Sequence, residues 1–262
     1  MNQLEKQFKI KKENLLNIYC TAGYPQLDST AEVMLALEQH GADMVEIGMP
    51  YADPIADGPV IQESNMVALD NGMNLPLLFK QLESVKDRMT IPVILMGYLN
   101  PVLQYGIEQF CADASHAGVS GIILPDLPMY QFEKHYKQLF KKNGLSFIFL
   151  ITPETSEHRI RMADKLSTGF LYAVSASATT GNAVDITSQK RYFEKLKKLQ
   201  LQNPVMIGFG INNQERFHNA CRYAAGAIIG SAYIKMLGTQ VPVGDGTKAF
   251  ISCIKGELPL AC

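Results

Sequence analysis

Val45-Glu46-Ile47-Gly48-Met49-Pro50-Tyr51-Ala52-Asp53-Pro54-Ile55-Ala56-Asp57-Gly58-Pro59 sets a carboxylate inside an apolar strand and follows it with a stiff acidic loop. Alternate side chains of a strand face opposite ways, so Glu46 shares a face with Met44 and Gly48, while Val45 and Ile47 point the other way. A Glu on the inner face of a barrel strand is desolvated, which raises its pKa and suits a group that gives and takes protons near neutral pH. Three prolines and Gly58 leave the loop little helix or strand potential, and Asp53 and Asp57 ride on it. Barrel enzymes keep their chemistry just past the C-terminal ends of their strands. The plain alternative is a polar turn whose aspartates cap their own backbone and whose Glu meets a structural partner. One acid alone fits that alternative better; Glu46 and Asp57 on one such loop favour chemistry.

The rest of the chain repeats the same unit. Short apolar runs at Ile18–Thr21, Met44–Ile47, Val93–Met96, Gly121–Leu124, Ser146–Ile151, Phe170–Val174, Val205–Ile207 and Ala227–Ile229 read as strands. Between them, Thr30–His40, Val60–Leu69, Leu75–Met89, Pro101–Ala117, Met129–Lys142, Ser156–Leu166, Gln189–Leu199 and Gln214–Tyr223 read as helices, and Ser231–Leu237 and Lys248–Lys255 close the chain. Continuous apolar strands separated by helices indicate a parallel sheet buried on both faces. Eight such units in a chain of 262 residues predict a single-domain α/β protein, a (β/α)8 TIM barrel over residues 1–262, with an extra amphipathic helix at Leu4–Lys11. An open doubly wound sheet is the structural rival.

Composition narrows the function. A hydrophobic fraction of 47% supports a sizeable core, and 19% charged residues argue against disorder. The 24 basic and 25 acidic residues are mixed along the chain, leaving a formal net charge of −1 and no basic block for nucleic acid or cationic stretch for a membrane. Cys20, Cys111, Cys221, Cys253 and Cys262 are scattered without a CxxC pair, which fits a reducing compartment and neither a disulfide framework nor a zinc site. With no signal-peptide core at the N-terminus, the expected location is the cytoplasm.

Glycines punctuate the ends of the last two strands, in Ile207-Gly208-Phe209-Gly210-Ile211-Asn212 and Ile229-Gly230-Ser231. Such turns let backbone N–H groups approach an anion, and these two loops are where barrels often hold phosphate. Thr180-Gly181, after the sixth strand, would complete the cradle. A Schiff-base aldolase needs a lysine on or at the end of a strand, and no predicted strand carries one. The five histidines fall in or at the ends of helices, so a histidine-clustered zinc site is not expected. Carboxylates, hydroxyls and backbone donors remain, and no metal is called for.

Glu46-Ile-Gly-Met-Pro-Tyr-Ala-Asp-Pro-Ile-Ala-Asp-Gly-Pro59 resembles the signature of the tryptophan synthase alpha chain family, and the resemblance runs from Tyr19-Cys20-Thr21-Ala22-Gly23 to Gly230-Ser231. It implies a lyase that splits indole-3-glycerol phosphate into indole and glyceraldehyde 3-phosphate, without metal or Schiff base, in tryptophan biosynthesis. On the family's pattern, Glu46 and Asp57 are the two catalytic acids and Tyr172 stands near the reacting carbons. Gly181, Gly210, Gly230 and Ser231 match the phosphate-binding positions. Tyr19, Met96, Ile123, Phe209 and Ile228 would wall the indole, Thr180 would meet Asp57 on loop closure, and Asp53, Asn100 and Asp126 match the partner-facing rim. The resemblance also implies a beta-chain partner in an alpha2-beta2 heterotetramer, with pyridoxal phosphate held by that partner and no cofactor in this chain.

One stretch departs from the family. Where relatives usually read Ser-Arg-x-Gly-Val-Thr-Gly, this chain has Ser175-Ala176-Ser177-Ala178-Thr179-Thr180-Gly181. An arginine charge is lost at Ala176 and a hinge is stiffened at Ala178. Three readings stand at this point: a lyase activated by its beta partner, a subunit that mainly activates that partner, and a free-standing lyase that releases indole.

Overall fold

A computed structural model describes residues 1–174, 186–208 and 210–257. All strands are parallel, in the order β5-β4-β3-β2-β1-β9-β8-β7-β6. They are β1 (Leu15–Thr21), β2 (Met44–Gly48), β3 (Val93–Met96), β4 (Val119–Ile123), β5 (Ser146–Phe147), β6 (Leu150–Ile151), β7 (Leu171–Val174), β8 (Val205–Gly208) and β9 (Gly226–Ile229). The two ends of that order, β5 and β6, are successive pieces of one run. The Ile148 N–H donates to Ile122 O at 3.0 Å on one side, and the Tyr172 N–H donates to Phe149 O at 3.1 Å on the other. The sheet therefore begins and ends on the same segment, and the nine pieces make eight positions of a closed barrel.

The strands are buried almost throughout, as expected for a sheet covered by helices outside and filled by side chains inside. The helix Gln3–Ile10, capped by Asn2 through a reciprocal pair with Glu5, closes the N-terminal end of the barrel. Asn2 Nδ2 also donates to Ser120 O at 2.8 Å, and Phe8 packs on Phe170 at 5.8 Å. Fully buried Leu4 fills the space beside two glycines: a Cβ at Gly121 would lie 3.1 Å from Leu4 Cδ2, and one at Gly169 2.7 Å from it.

Several elements differ from the sequence expectation. β1 starts at Leu15 instead of Ile18, bringing Asn17 into the sheet. The expected helix Pro101–Ala117 is two, Leu99–Tyr105 and Ile107–His116, because Gly106 between them takes φ +94°, outside helical space. Met129–Lys142 contains a π-helical turn at Phe132–Tyr136, where Phe132 stacks on Phe147 at 4.2 Å. The last helix begins at Val243, not Lys248, taking in both Gly244 and Gly246. Cys20, Cys111 and Cys221 are free thiols, whereas Cys253 is disulfide-bonded, against the expectation from cysteine spacing.

Candidate active site

Glu46 lies at the centre of β2, paired in register with Tyr19 of β1 and Ile94 of β3, and has no exposed surface. With Tyr19 and Met96 it lines a cavity of about 250 Å³ at the C-terminal end of the barrel. Tyr172 of β7 and Ile228 of β9 add to the wall, and Asp57 and Ile61 reach in from the loop and helix that follow β2. The far wall is Gly210, Ile211 and Asn212 after β8, then Gly230, Ser231 and Ala232 after β9. Residues from the two ends of the sequence thus face one space.

Glycines make room for the two tyrosines. A Cβ at Gly48 would lie 2.6 Å from Tyr19 Cζ, and one at Gly208 2.6 Å from Tyr172 Cζ. Real Cβ atoms do not approach that closely, so neither ring could keep its place beside a larger residue. Gly208 is therefore explained by ring packing, while Gly210, at φ +72°, is required by its turn.

The two acids are driven apart. Burial pushes the Glu46 carboxyl up to about 8; the Asn17 side-chain N–H donating to it opposes the shift, and the Asp57 charge adds to it. Burial pushes Asp57 up to about 6, against hydrogen bonds from Tyr98 and Asn65 that favour its charged form. The order of the two favours a neutral Glu46 beside an ionised Asp57 near neutral pH, an arrangement in which two carboxyls can take different roles. Burial, reinforced by nearby acids, raises the hydroxyls of Tyr19 and Tyr172 well above the usual phenol range, so both remain protonated.

The remaining predicted residues fall into three groups. Ile123 is fully buried at the end of β4 and is not among the cavity-lining residues. Thr180, Gly181 and Phe209, with the departure at Ala176 and Ala178, lie outside the described residues. At the rim, the Asp126 carboxylate accepts the Leu99 N–H at 2.9 Å, Asn100 Nδ2 donates to Tyr51 Oη at 3.1 Å, and Asp53 is exposed.

Sequence reasoning did not single out five contributors. Asn17 Nδ2 donates to Glu46 Oε2 at 2.8 Å. Tyr98 donates to Asp57 Oδ2 at 3.1 Å, and Asn65 bonds the same carboxylate. Arg216 and Lys235 are the cations of the cavity lining, and Arg216 Nη1 donates to Gly210 O at 2.6 Å. Strand alternation from Tyr19 would have flagged Asn17 had β1 been started earlier; Arg216 and Lys235 sit on helices, one turn or so past the glycine loops. No described strand carries a lysine, so Lys235 reaches the cavity from the same helix as Ser231.

The whole sequence agrees with this geometry. Residues 5–250 match the model of the family described as tryptophan synthase alpha chain. The chain belongs to the tryptophan synthase alpha chain family. It is similar to the tryptophan synthase alpha chain of Parabacteroides distasonis, 46% identical over 256 residues that cover 97% of this chain and all of that one. Its fold matches the crystal structure of tryptophan synthase subunit alpha from Legionella pneumophila, with TM-score 0.88, 31% identity and 98% of each chain covered. It also matches the tryptophan synthase complex from Pyrococcus furiosus, with TM-score 0.82, 30% identity, and 94% of this chain and 99% of that one covered. As a member of this family it is a carbon–carbon lyase of tryptophan biosynthesis, acting on indole-3-glycerol phosphate.

Proposed function

We propose that this cavity is where indole-3-glycerol phosphate is cleaved, with Glu46 as proton carrier, Asp57 as fixed charge and the Gly210–Ser231 wall as phosphate anchor. The observation that carries the reading is the placement of Glu46, fully buried, and Asp57 in one cavity, where burial raises both carboxyls and raises Glu46 further. Neutral Glu46 gives its proton to indole C3, and the ring nitrogen takes up positive charge that the Asp57 carboxylate offsets. Glu46, now a carboxylate, takes the proton of the side-chain hydroxyl next to the ring. As that oxygen forms the aldehyde carbonyl, the carbon–carbon bond breaks and its electron pair returns to the ring. Glu46 ends protonated, indole and glyceraldehyde 3-phosphate are released, and the cycle needs neither water nor net oxidation.

Tyr172, Tyr19, Met96 and Ile228 support this as the apolar and aromatic wall that an indole fills. At the other end, the backbone of Gly210, Gly230 and Ser231, with Gly181 expected beside them, and the Arg216 and Lys235 charges suit a phosphate dianion. Phe209 and Thr180 belong to the same reading as wall and loop-closing groups. The whole chain acts as one barrel unit in the cytoplasm, its chemistry supplied by its own side chains. The partner is a beta chain in an alpha2-beta2 assembly, with pyridoxal phosphate on that subunit. The exposed rim at Asp53, Ile55, Asn100 and Asp126 supports a docking face, Ile55 being 81% exposed.

The test is Glu46→Gln, which keeps shape but has no transferable proton. Indole release should fall by at least ~10²-fold, the general acid–base range, while calorimetry still detects substrate binding. Near-normal turnover in a folded Glu46→Gln protein would sink the assignment. Mass measurement with and without a tryptophan synthase beta chain checks the partner: an unchanged mass for this chain counts against the assembly.

A further inference from the structure

We propose that Asn17 is a positioning residue for the reaction: its amide holds Glu46 Oε2, so that Oε1 is the oxygen that carries and delivers the proton. The proposal rests on the reading of Glu46 given above and adds which of its oxygens works and what orients it.

Asn17 and Glu46 are both fully buried, an unusual pairing of polar groups inside an apolar barrel. In the β1–β2 ladder Asn17 is in register with Met44, two residues before the Tyr19–Glu46 pair and so on the same inward face as Tyr19. From there Asn17 Nδ2 reaches up to Glu46 Oε2 at 2.8 Å. Glu46 Oε1 and Asn17 Oδ1 have no hydrogen-bond partner among the described residues. A buried amide with one unmet acceptor is costly, and an apolar residue would fill the same space more favourably. Such a cost is expected where a polar group orients a reacting one.

The single donor makes the two carboxyl oxygens inequivalent. An oxygen that already accepts an N–H is the poorer place for a proton, so neutral Glu46 carries its proton on Oε1. Rotation about the carboxyl bond, which would turn the proton away from the substrate, breaks the Asn17 bond. The donor also favours the carboxylate, which Glu46 must become halfway through the reaction. The other titratable groups acting on Glu46 or responding to it are Tyr19 and Cys20 of β1, Tyr172 of β7 and Asp57 of the loop after β2. Of these only Asp57 is ionised near neutral pH, and its charge pushes Glu46 upward, so Asn17 is the one neighbour that pulls it down.

The experiment is the pH dependence of kcat and kcat/KM for indole release, from pH 5.5 to 9.5, in Asn17→Leu, Asn17→Asp, Glu46→Gln and the parent. Folding is followed by circular dichroism and urea midpoint. Both Asn17 variants are close to the parent in size, and neither has the N–H donor. A protonated Glu46 starts the reaction, so parental activity falls as pH rises through its pKa. Losing the donor raises that pKa, so the alkaline limb of Asn17→Leu should move up by about one pH unit, and that of Asn17→Asp by at least as much, since a second carboxyl beside Glu46 further disfavours its charged form. In the same variants kcat should drop about tenfold, while KM changes less than about twofold. A folded Asn17 variant with an unmoved alkaline limb overturns the proposal, whether kcat falls or not, since a packing defect would lower kcat without moving the limb. If that happens while Glu46→Gln is inactive, the reading of Glu46 survives and only the role of Asn17 is lost. Normal turnover in Glu46→Gln overturns both.

Discussion

The Tyr98 hydroxyl donates to Asp57 Oδ2 at 3.1 Å while accepting the Ala56 N–H at 3.0 Å, so one phenol beyond β3 ties down both the backbone and the carboxylate of the acidic loop. Asp57 sits near 6 despite that donor. In Tyr98→Phe the bond that favours the carboxylate is gone and its pKa rises further. Since the ionised form is the useful one, the acid limb of kcat/KM should move upward, by less than about one pH unit for one lost donor among two. A limb that stays in place would mean that Asp57 does not control the acid side.

Stability should show the cost of burying Glu46. Its folded pKa, about 8, lies above the ordinary carboxyl value of 4.5. Between those values the folded state binds the proton and the unfolded state has released it, so stability falls as pH rises through that window. Asp57, raised from 3.8 to about 6, acts in the same direction at lower pH. Glu46→Gln removes the larger contribution. Urea midpoints at pH 5 and pH 8.5 should show the variant gaining on the parent at the higher pH, by up to a few kcal/mol. A difference that does not depend on pH would contradict the assigned ionisation.

Gly48→Ala should disturb the site through Tyr19, whose ring occupies the place a Cβ would take. Overpacking of this kind costs about 1–3 kcal/mol. The paired change Gly48→Ala with Tyr19→Leu should recover part of that stability and leave turnover low, because a wall of the cavity proposed to hold indole has been altered. A midpoint for Gly48→Ala equal to that of the parent would show that the ring moves freely.

Arg216→Gln tests the anchor. The arginine faces the cavity and is fastened to Gly210 O, so its loss should weaken a dianionic substrate more than neutral indole. KM for indole-3-glycerol phosphate should rise about tenfold, the order expected for a charge-assisted bond, with indole affinity nearly unchanged. Equal weakening of both ligands would point to a defect in the loop instead.

The barrel and Glu46 were legible in the sequence for one physical reason: parallel strands are apolar on both faces, so a lone carboxylate in such a run stands out. The partners of that carboxylate were not. Asn17 is the third residue of a strand that follows Lys11-Lys12-Glu13-Asn14, and polarity there reads as loop. Tyr98 and Asn65 act across 41 and 8 residues of chain respectively, and nothing in local periodicity ties them to Asp57. Gly106 was read through because one glycine in an amphipathic run is tolerated; only its φ of +94° shows that the helix stops. Gly208 was credited to phosphate when its neighbour is the Tyr172 ring.

The closing seam of the sheet also fixes when the molecule becomes competent during its own synthesis. Leu15 of β1 pairs with Gly226 of β9, so the first strand waits for the last. The carboxyls proposed as proton carrier and fixed charge, Glu46 and Asp57, leave the ribosome early, and the groups proposed to grip the phosphate, Gly210 to Ser231, leave near the end. A nascent chain therefore carries these carboxyls for most of its elongation without the proposed means of holding the substrate. Ring closure, a long-range contact that forms slowly compared with local helices, is the event that joins the two.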